Sequence, residues 1–400
     1  MEKISRRRFI MCGAAAVLSQ PVFLQVLNPF AFAFISGPAD IKGEIFRNDA
    51  PKTLPKHFKE GCLYKRLDQK RVICGICPNQ CILSPGDRGI CRSRVNIDGT
   101  LYSLAYANPC SINVDPIEKK PLFHFLPKTT AFSVAIAGCN FRCLNCQNWE
   151  ISQVRPEDVR TYELYPADCV NRAHKAGAVS IAYTYSEPTT FFEYMIETSG
   201  IAREKGIKNL WISNGYINRE PLLELCRVLD AANVNLKAYS DRIYRKLNGG
   251  RLEPVLDTFK TLNDQGVHFE ITNLVVPGYT DDEEMVKPMC SWILKNLGQD
   301  HPLHFLRFFP RYKLDRLSPT PVSTLARFRE IAIKEGIRYV YLGNVPGHEG
   351  NNTYCHNCSK LLIERKGYFI PTYNLDGDKC RFCSAKIPGV WHGNDHDDRA

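Results

Sequence analysis

The chain has 400 residues, 44% of them hydrophobic and 24% charged, with 17 cysteines and a formal net charge of +10. That length and balance exclude a disordered chain, a collagen and a coiled coil, and leave room for two or three domains. A chain this long and this rich in core residues is no disulfide scaffold, and its odd cysteine count forbids complete internal pairing. The basic residues are spread along the chain, which reads as a solvated basic surface, so a nucleic-acid partner is not expected.

In chain order, Arg6-Arg7-Arg8-Phe9-Ile10 precedes an apolar stretch to Leu18, a second from Val22 to Leu27, and small residues around Ala31-Phe32-Ala33. Residues 1–34 resemble a twin-arginine export leader, a signal for carrying folded, cofactor-loaded chains. The resemblance implies cofactor loading in the cytoplasm, then export to the periplasm or the membrane face, with membrane contact only through the leader. Residues 35–61, rich in Pro, Lys and Gly without periodicity, read as a linker, and 62–130 as a cysteine-bearing module of short extended runs.

From residue 131 the pattern becomes regular. Apolar strands are expected at Ser133–Ala137, Ser180–Tyr185, Asn209–Ser213, Val234–Ala238, Phe269–Val276, Leu303–Phe309 and Tyr339–Leu342. Amphipathic helices are expected between them at Glu193–Lys205, Glu220–Ala231, Leu252–Gln265, Asp282–Leu297 and Thr324–Lys334. Strands alternating with helices predict parallel βαβ units. Six or seven units over 131–347 suit an α/β fold built as a partial (β/α)6-type TIM barrel, flanked by an N-terminal four-cysteine metal module and a C-terminal zinc-ribbon-like module. No GxGxxG follows a strand and no P-loop occurs, so dinucleotide and P-loop chemistry are excluded.

Eleven cysteines fall into three groups. Cys139, Cys143 and Cys146 begin where the first barrel strand ends, the position at which such barrels carry their chemistry. Three thiolates in this spacing can ligate three irons of a cubane cluster and leave the fourth open, since a closed cluster uses four cysteines; a tetrahedral zinc site completed by a distant residue is the alternative. Cys74, Cys77, Cys81 and Cys91 make a complete tetrahedral set, open to zinc or to a second iron–sulfur cluster. Cys355, Cys358, Cys380 and Cys383 form two CxxC knuckles spaced as in a zinc ribbon, with a rubredoxin-like single iron as the rival. Cys62 is a spare thiol that could replace a ligand in the first module. The tail string from His392 to Asp398 reads as solvated.

The CxxxCxxC loop on its strand end resembles the radical S-adenosylmethionine (SAM) superfamily from about Ser133 to Gly347. That resemblance implies a [4Fe–4S] cluster whose open iron chelates SAM. One electron then cleaves SAM to a 5′-deoxyadenosyl radical, which abstracts hydrogen from a substrate. It also implies a low-potential donor of flavodoxin or ferredoxin type. Tyr185-Ser186-Glu187-Pro188 resembles the GGEP segment that meets the SAM amino group, through Glu187 and Pro188 only. Ser213 and Asn214 match the segment for the SAM ribose or carboxylate, and Lys237 in Asn235-Leu236-Lys237 matches a DLK segment of activating enzymes, with Asn235 replacing its acid. Val276 stands where adenine is packed. Asn145 replaces the aromatic usual before the third cysteine, which implies a more polar adenine pocket.

With Asp115–Pro127, Gly343-Asn344-Val345-Pro346 and the terminal knuckles added, the chain resembles the radical SAM member of the AmmeMemoRadiSam system, itself similar to glycyl-radical activases. A partner protein as substrate follows from that likeness. His304 and Arg307 on the sixth strand are the candidate catalytic residues, with His304 able to relay a proton. The alternative from another class is an iron–sulfur electron carrier or binding protein without SAM chemistry.

Overall fold

The computed structural model describes residues 44–391. The leader expected at 1–34 and the tail from His392 lie outside the described residues. No helix among the described residues is long and apolar enough to cross a membrane.

One eight-stranded sheet organises the chain. Its strands are β1 (Ser111–Pro116), β2 (Thr130–Ala135), β3 (Ser180–Tyr183), β4 (Lys208–Ser213), β5 (Ala231–Asn235), β6 (His268–Val275), β7 (Leu303–Arg307) and β8 (Val340–Gly343), neighbours in that order. β1 runs antiparallel to β2, and every later pair is parallel, as in Val134 beside Tyr183 and Leu306 beside Gly343. The sheet is therefore a partial barrel of seven parallel strands, one more than a (β/α)6 count, with an antiparallel strand on its first edge. Pro116 is tolerated because β1 is that edge, where a missing N–H breaks no ladder.

The crossovers are α1 (Pro166–Lys175), α2 (Phe192–Glu204), α3 (Arg219–Cys226), α4 (Glu253–Asp264), α5 (Glu283–Asn296) and α6 (Val322–Glu335). They cover the sheet, so its strands are buried on both faces, as the fully buried β3 shows. β5 starts three residues earlier than the sequence pattern indicates. Lys237 consequently stands past the strand end, in the loop.

Two small antiparallel sheets precede the barrel. One joins Lys59–Glu60, Thr100–Ser103 and Arg94–Ile97, the other Tyr64–Arg66, Val72–Cys74 and Ile82–Leu83. Their Val72, Leu83 and Leu101 belong to the same buried cluster as barrel residues Val134 and Phe269. Residues of the expected linker also hold contacts: Asp49 pairs with buried Arg88 at 2.8 Å and with Arg155. At the other end, strands Thr353–Tyr354, Leu361–Lys366 and Phe369–Tyr373 form a sheet, followed by the hairpin Leu375–Asp376 and Lys379–Cys380. Its Leu362, Ile363 and Ile370 share a second core with Phe123, Tyr339 and Tyr341. Shared apolar burial ties both cysteine-bearing ends to the barrel.

Candidate functional site at the strand ends

The loop after β2 carries the three central cysteines. Gly138 opens it at φ +117, and a Cβ there would lie 2.7 Å from the Cys91 carbonyl oxygen, so only glycine fits. The backbone N–H groups of Arg142 and Leu144 donate to the carbonyls of Asn248 and Leu247, both at 2.9 Å. Phe141 seats its ring against Gly250, whose Cβ would approach it to 2.2 Å. The loop is thus pinned from three sides.

Amide donors are aimed at its sulfurs. The Phe141 backbone N–H points to Cys139 Sγ at 3.4 Å, the Asn248 amide to Cys143 Sγ at 3.2 Å, and the Asn214 amide to Cys139 Sγ at 3.9 Å. Burial pushes the Cys139 thiol well up, helped by the Glu187 carboxylate, and pushes Cys146 to about 11 against the pull of the Lys237 ammonium. Coordination reverses that preference, because a metal-bound thiol is deprotonated outright. Three thiols with N–H donors at the sulfurs are the donor set of an iron–sulfur cluster. A single shared ion fits poorly: among the described residues only the C-terminal four bring their ligand atoms within 4.8 Å of one another.

Glu187, after β3, is the hub beside this loop. Its buried Oε1 accepts from the Thr189 N–H at 3.0 Å, the Thr189 hydroxyl at 2.7 Å and the Ser213 hydroxyl at 2.7 Å, while Oε2 accepts the Asn214 N–H at 2.9 Å. Burial still raises its pKa, against those donors. Asn214 also donates to Asn140 Oδ1 at 2.8 Å. Glu187, Ser213, Asn214 and Cys139 therefore meet. Lys237 is half-buried, close enough to Cys146 to favour its thiolate. Val276, directly after β6, lies in a small apolar cluster with Leu247 and Phe308, against which Leu144 of the cysteine loop packs. Asn235 donates its amide to the Ser213 carbonyl at 3.1 Å.

An open cavity adjoins the loop, walled by Gln147 and Asn148 next to Cys146 and by Lys120, Tyr185, His304 and Asn344. His304 is buried and meets Glu270 Oε2 through Nε2 at 2.6 Å, leaving Nδ1 without a partner. Burial opposes ionisation of Glu270, but hydrogen bonds from His268 and His304 win and hold it well below the usual carboxylate range. Arg307 does not line this cavity: its Nε donates to the Thr320 carbonyl at 2.8 Å and its guanidinium stacks over Phe309. Sequence reasoning gave no role to Lys120, which burial lowers to about 8 beside Asp115 at 2.6 Å, or to Asn248. Lys120 lies in a stretch that the family likeness had picked out. Asn248, 105 residues from its sulfur partner, carries no local signal.

The other cysteines fall into place differently. Sγ–Sγ distances of 3.6 Å for Cys355–Cys383 and 3.7 Å for Cys358–Cys380 put the C-terminal four on one point. Cys74, Cys77, Cys81 and Cys91 line a single cavity. Cys62 is not among its lining residues; its thiol donates to Glu193 Oε1 at 3.3 Å.

A family model described as the radical SAM superfamily matches residues 133–287. "Uncharacterized protein MJ0808" of Methanocaldococcus jannaschii is 48% identical over 332 residues, spanning 82% of this chain and 99% of that protein. The pyruvate formate-lyase 1-activating enzyme of Escherichia coli strain K12 is 24% identical over 225 residues, 52% of this chain and 91% of that one. Among solved structures, Streptococcus suis SuiB bound to S-adenosylmethionine aligns at a TM-score of 0.43 and 15% identity, over 57% of this chain and 53% of that chain.

Proposed function

The chain belongs to the radical SAM superfamily, and on that premise we propose that its substrate enters the cavity beside His304 and loses a hydrogen atom there. The observation that carries this reading is continuity: Gln147 and Asn148, the residues directly after Cys146, are also cavity wall. Cys139, Cys143 and Cys146 would hold a [4Fe–4S] cluster, which when bound would supply the electron for reductive SAM cleavage and so the radical chemistry.

The protein's own residues bind, orient and exclude water. Glu187 is assigned to the SAM amino group, because Oε2 accepts a single hydrogen bond and keeps a lone pair free. Lys237 is assigned to the SAM carboxylate, as a cation beside the loop. Ser213 and Asn214 hold Glu187 in place and sit where the cofactor's polar end would lie. Asn145 Oδ1 is buried without a partner and offers an acceptor to the adenine amino group. Val276 gives the adenine an apolar neighbour. His304, fixed by Glu270 through Nε2, keeps Nδ1 to accept a proton from the substrate. Arg307 acts as a positioning residue through Thr320 and the Asn344 amide that its carbonyl receives at 3.0 Å.

The finer reading is an activase-like enzyme of the AmmeMemoRadiSam type, taking a partner protein and a flavodoxin- or ferredoxin-class donor. Its support is the likeness to pyruvate formate-lyase activating enzymes and the Lys237 position. The C-terminal four hold zinc in a structural ribbon, and the N-terminal four hold a metal of their own. Export of the loaded chain follows the arginine run at Arg6-Arg7-Arg8.

The test is an anaerobic assay on reconstituted protein with dithionite. It should form 5′-deoxyadenosine, and Cys143→Ala should form none. EPR of partner proteins from the same operon then separates the finer reading: a protein-borne radical supports an activase, and modification of a small molecule instead overturns it.

A further inference from the structure

The N-terminal cysteines enclose space rather than converge. Cys74, Cys77, Cys81 and Cys91 line one cavity, and the first, third and fourth are at most 9% exposed. A zinc ion with bonds of about 2.3 Å draws its four sulfurs into a tetrahedron with edges of roughly 3.8 Å. The C-terminal thiols, at 3.6 and 3.7 Å, already have that form. Neither the N-terminal four nor the central three draw together in that way among the described residues. Both groups therefore suit a body larger than one ion.

The wall of the cavity carries a second signal. Arg94 is 2% exposed and lines it; one terminal nitrogen donates to Glu193 Oε2 at 2.7 Å, while Nε and Nη1 are buried with no partner. Buried guanidinium N–H groups left without acceptors are costly, even when the charge itself is paired. Four thiolates around inorganic sulfide are such acceptors. The Ser93 hydroxyl adds a donor to Cys91 Sγ at 3.3 Å.

The cavity also touches the central loop. The Cys91 carbonyl packs on Gly138, the residue before Cys139, and Asn79, between Cys77 and Cys81, donates to the Asn140 carbonyl at 2.9 Å. Asn140 is itself cavity wall. Two redox groups held here would sit in neighbouring shells with no water layer between their loops.

We propose that Cys74, Cys77, Cys81 and Cys91 hold a second, fully ligated [4Fe–4S] cluster that relays single electrons to the SAM-cleaving cluster. A flavodoxin- or ferredoxin-class protein gives up one electron, the second cluster takes it and returns to its oxidised state, and the SAM-cleaving cluster is reduced by one. The relay rests on the radical SAM reading; the second cluster itself does not.

The experiment uses full-length protein reconstituted anaerobically, with iron, zinc and acid-labile sulfide counted per chain. The native protein should carry about eight irons and about eight sulfides. Removing the central ligands in Cys139→Ala/Cys143→Ala/Cys146→Ala should leave about four of each, with an EPR signal unmoved by SAM. Sulfide loss to zero in this variant, with zinc at the N-terminal site, overturns the proposal. Should that variant not fold, Cys77→Ser is its mirror: it should keep a SAM-responsive signal and lose about half the sulfide. Unchanged sulfide there also overturns it. A native protein with eight irons but no SAM response would leave the second cluster standing and sink the radical SAM reading instead. For the relay, Cys77→Ser should lose SAM cleavage driven by a reduced flavodoxin-class donor yet retain it with dithionite, and equal donor-driven rates contradict it.

Discussion

The central loop and the C-terminal knuckles use the same residue for opposite ends. At the C-terminus four sulfurs meet on one point and share a core with Phe123 and Tyr341, an arrangement in which a metal ion completes a fold. At the centre three sulfurs are held apart, supplied with amide donors and set against an open cavity. A complete ligand set stabilises; an incomplete one leaves a position for chemistry. Cysteine number alone would not separate the two, whereas sulfur convergence does.

The comparison breaks first at Cys143. Cys143→Ala should remove all 5′-deoxyadenosine formation while zinc content and thermal midpoint stay near native, measured by chromatography, metal analysis and calorimetry. Cys380→Ala should do the reverse. Zinc is lost, stability drops by several kcal/mol, on the order expected for a metal-folded module, and SAM cleavage per folded molecule persists. If both variants lose cleavage alone, the division of labour is wrong.

Glu187→Gln sharpens the account within the central site. Its oxygens face four N–H and O–H donors, so turning one oxygen into an amide places donor against donor. The cost should be about 1–3 kcal/mol, read as a rise in the SAM dissociation constant larger than the fall in thermal midpoint.

The smallest effect tests how the C-terminal region is tied on. His124 is buried, with Nδ1 donating to the Pro388 carbonyl at 2.6 Å and Nε2 meeting the Tyr341 hydroxyl at 2.6 Å. Burial lowers its pKa to about 4 from 6.5. Below pH 6.5 the unfolded chain gains a proton that the folded one refuses, so stability falls as pH falls and levels off near 4. The slope should approach about 1.4 kcal/mol per pH unit at most. Denaturant melts at pH 7 and pH 5 should show it, and His124→Gln should flatten it.

Much of this was legible in the chain. All seven parallel strands begin within three residues of their expected starts and keep their order, because buried strands between amphipathic helices leave a strong period. β5 shifted because Ala231 and Ala232 suit a helix end as well as a buried strand. Strand β1 went unread, since a segment ending in Asp115-Pro116 carries turn residues that only an edge position accommodates. The helix α1 was hidden by its Asp, Asn, Arg and Lys content. At the site, local motifs pointed to Cys139, Cys143 and Cys146 as candidate ligands and to Glu187, which the fold brings beside Cys139. The side chains that pack on the cysteines and on the cavity wall come from farther along the sequence: Asn248 on Cys143, Arg94 beside Cys74, and Asp115 against Tyr185. Tertiary folding alone brings those pairs together, and no spacing rule encodes them.

The central claim is that the incomplete thiol set holds a cluster open to SAM. EPR of the reduced, reconstituted protein with and without SAM tests it most directly. The account predicts a [4Fe–4S] signal that changes on SAM addition, with that SAM-responsive component missing from Cys143→Ala. A signal indifferent to SAM in the native protein, with no 5′-deoxyadenosine formed, would contradict it.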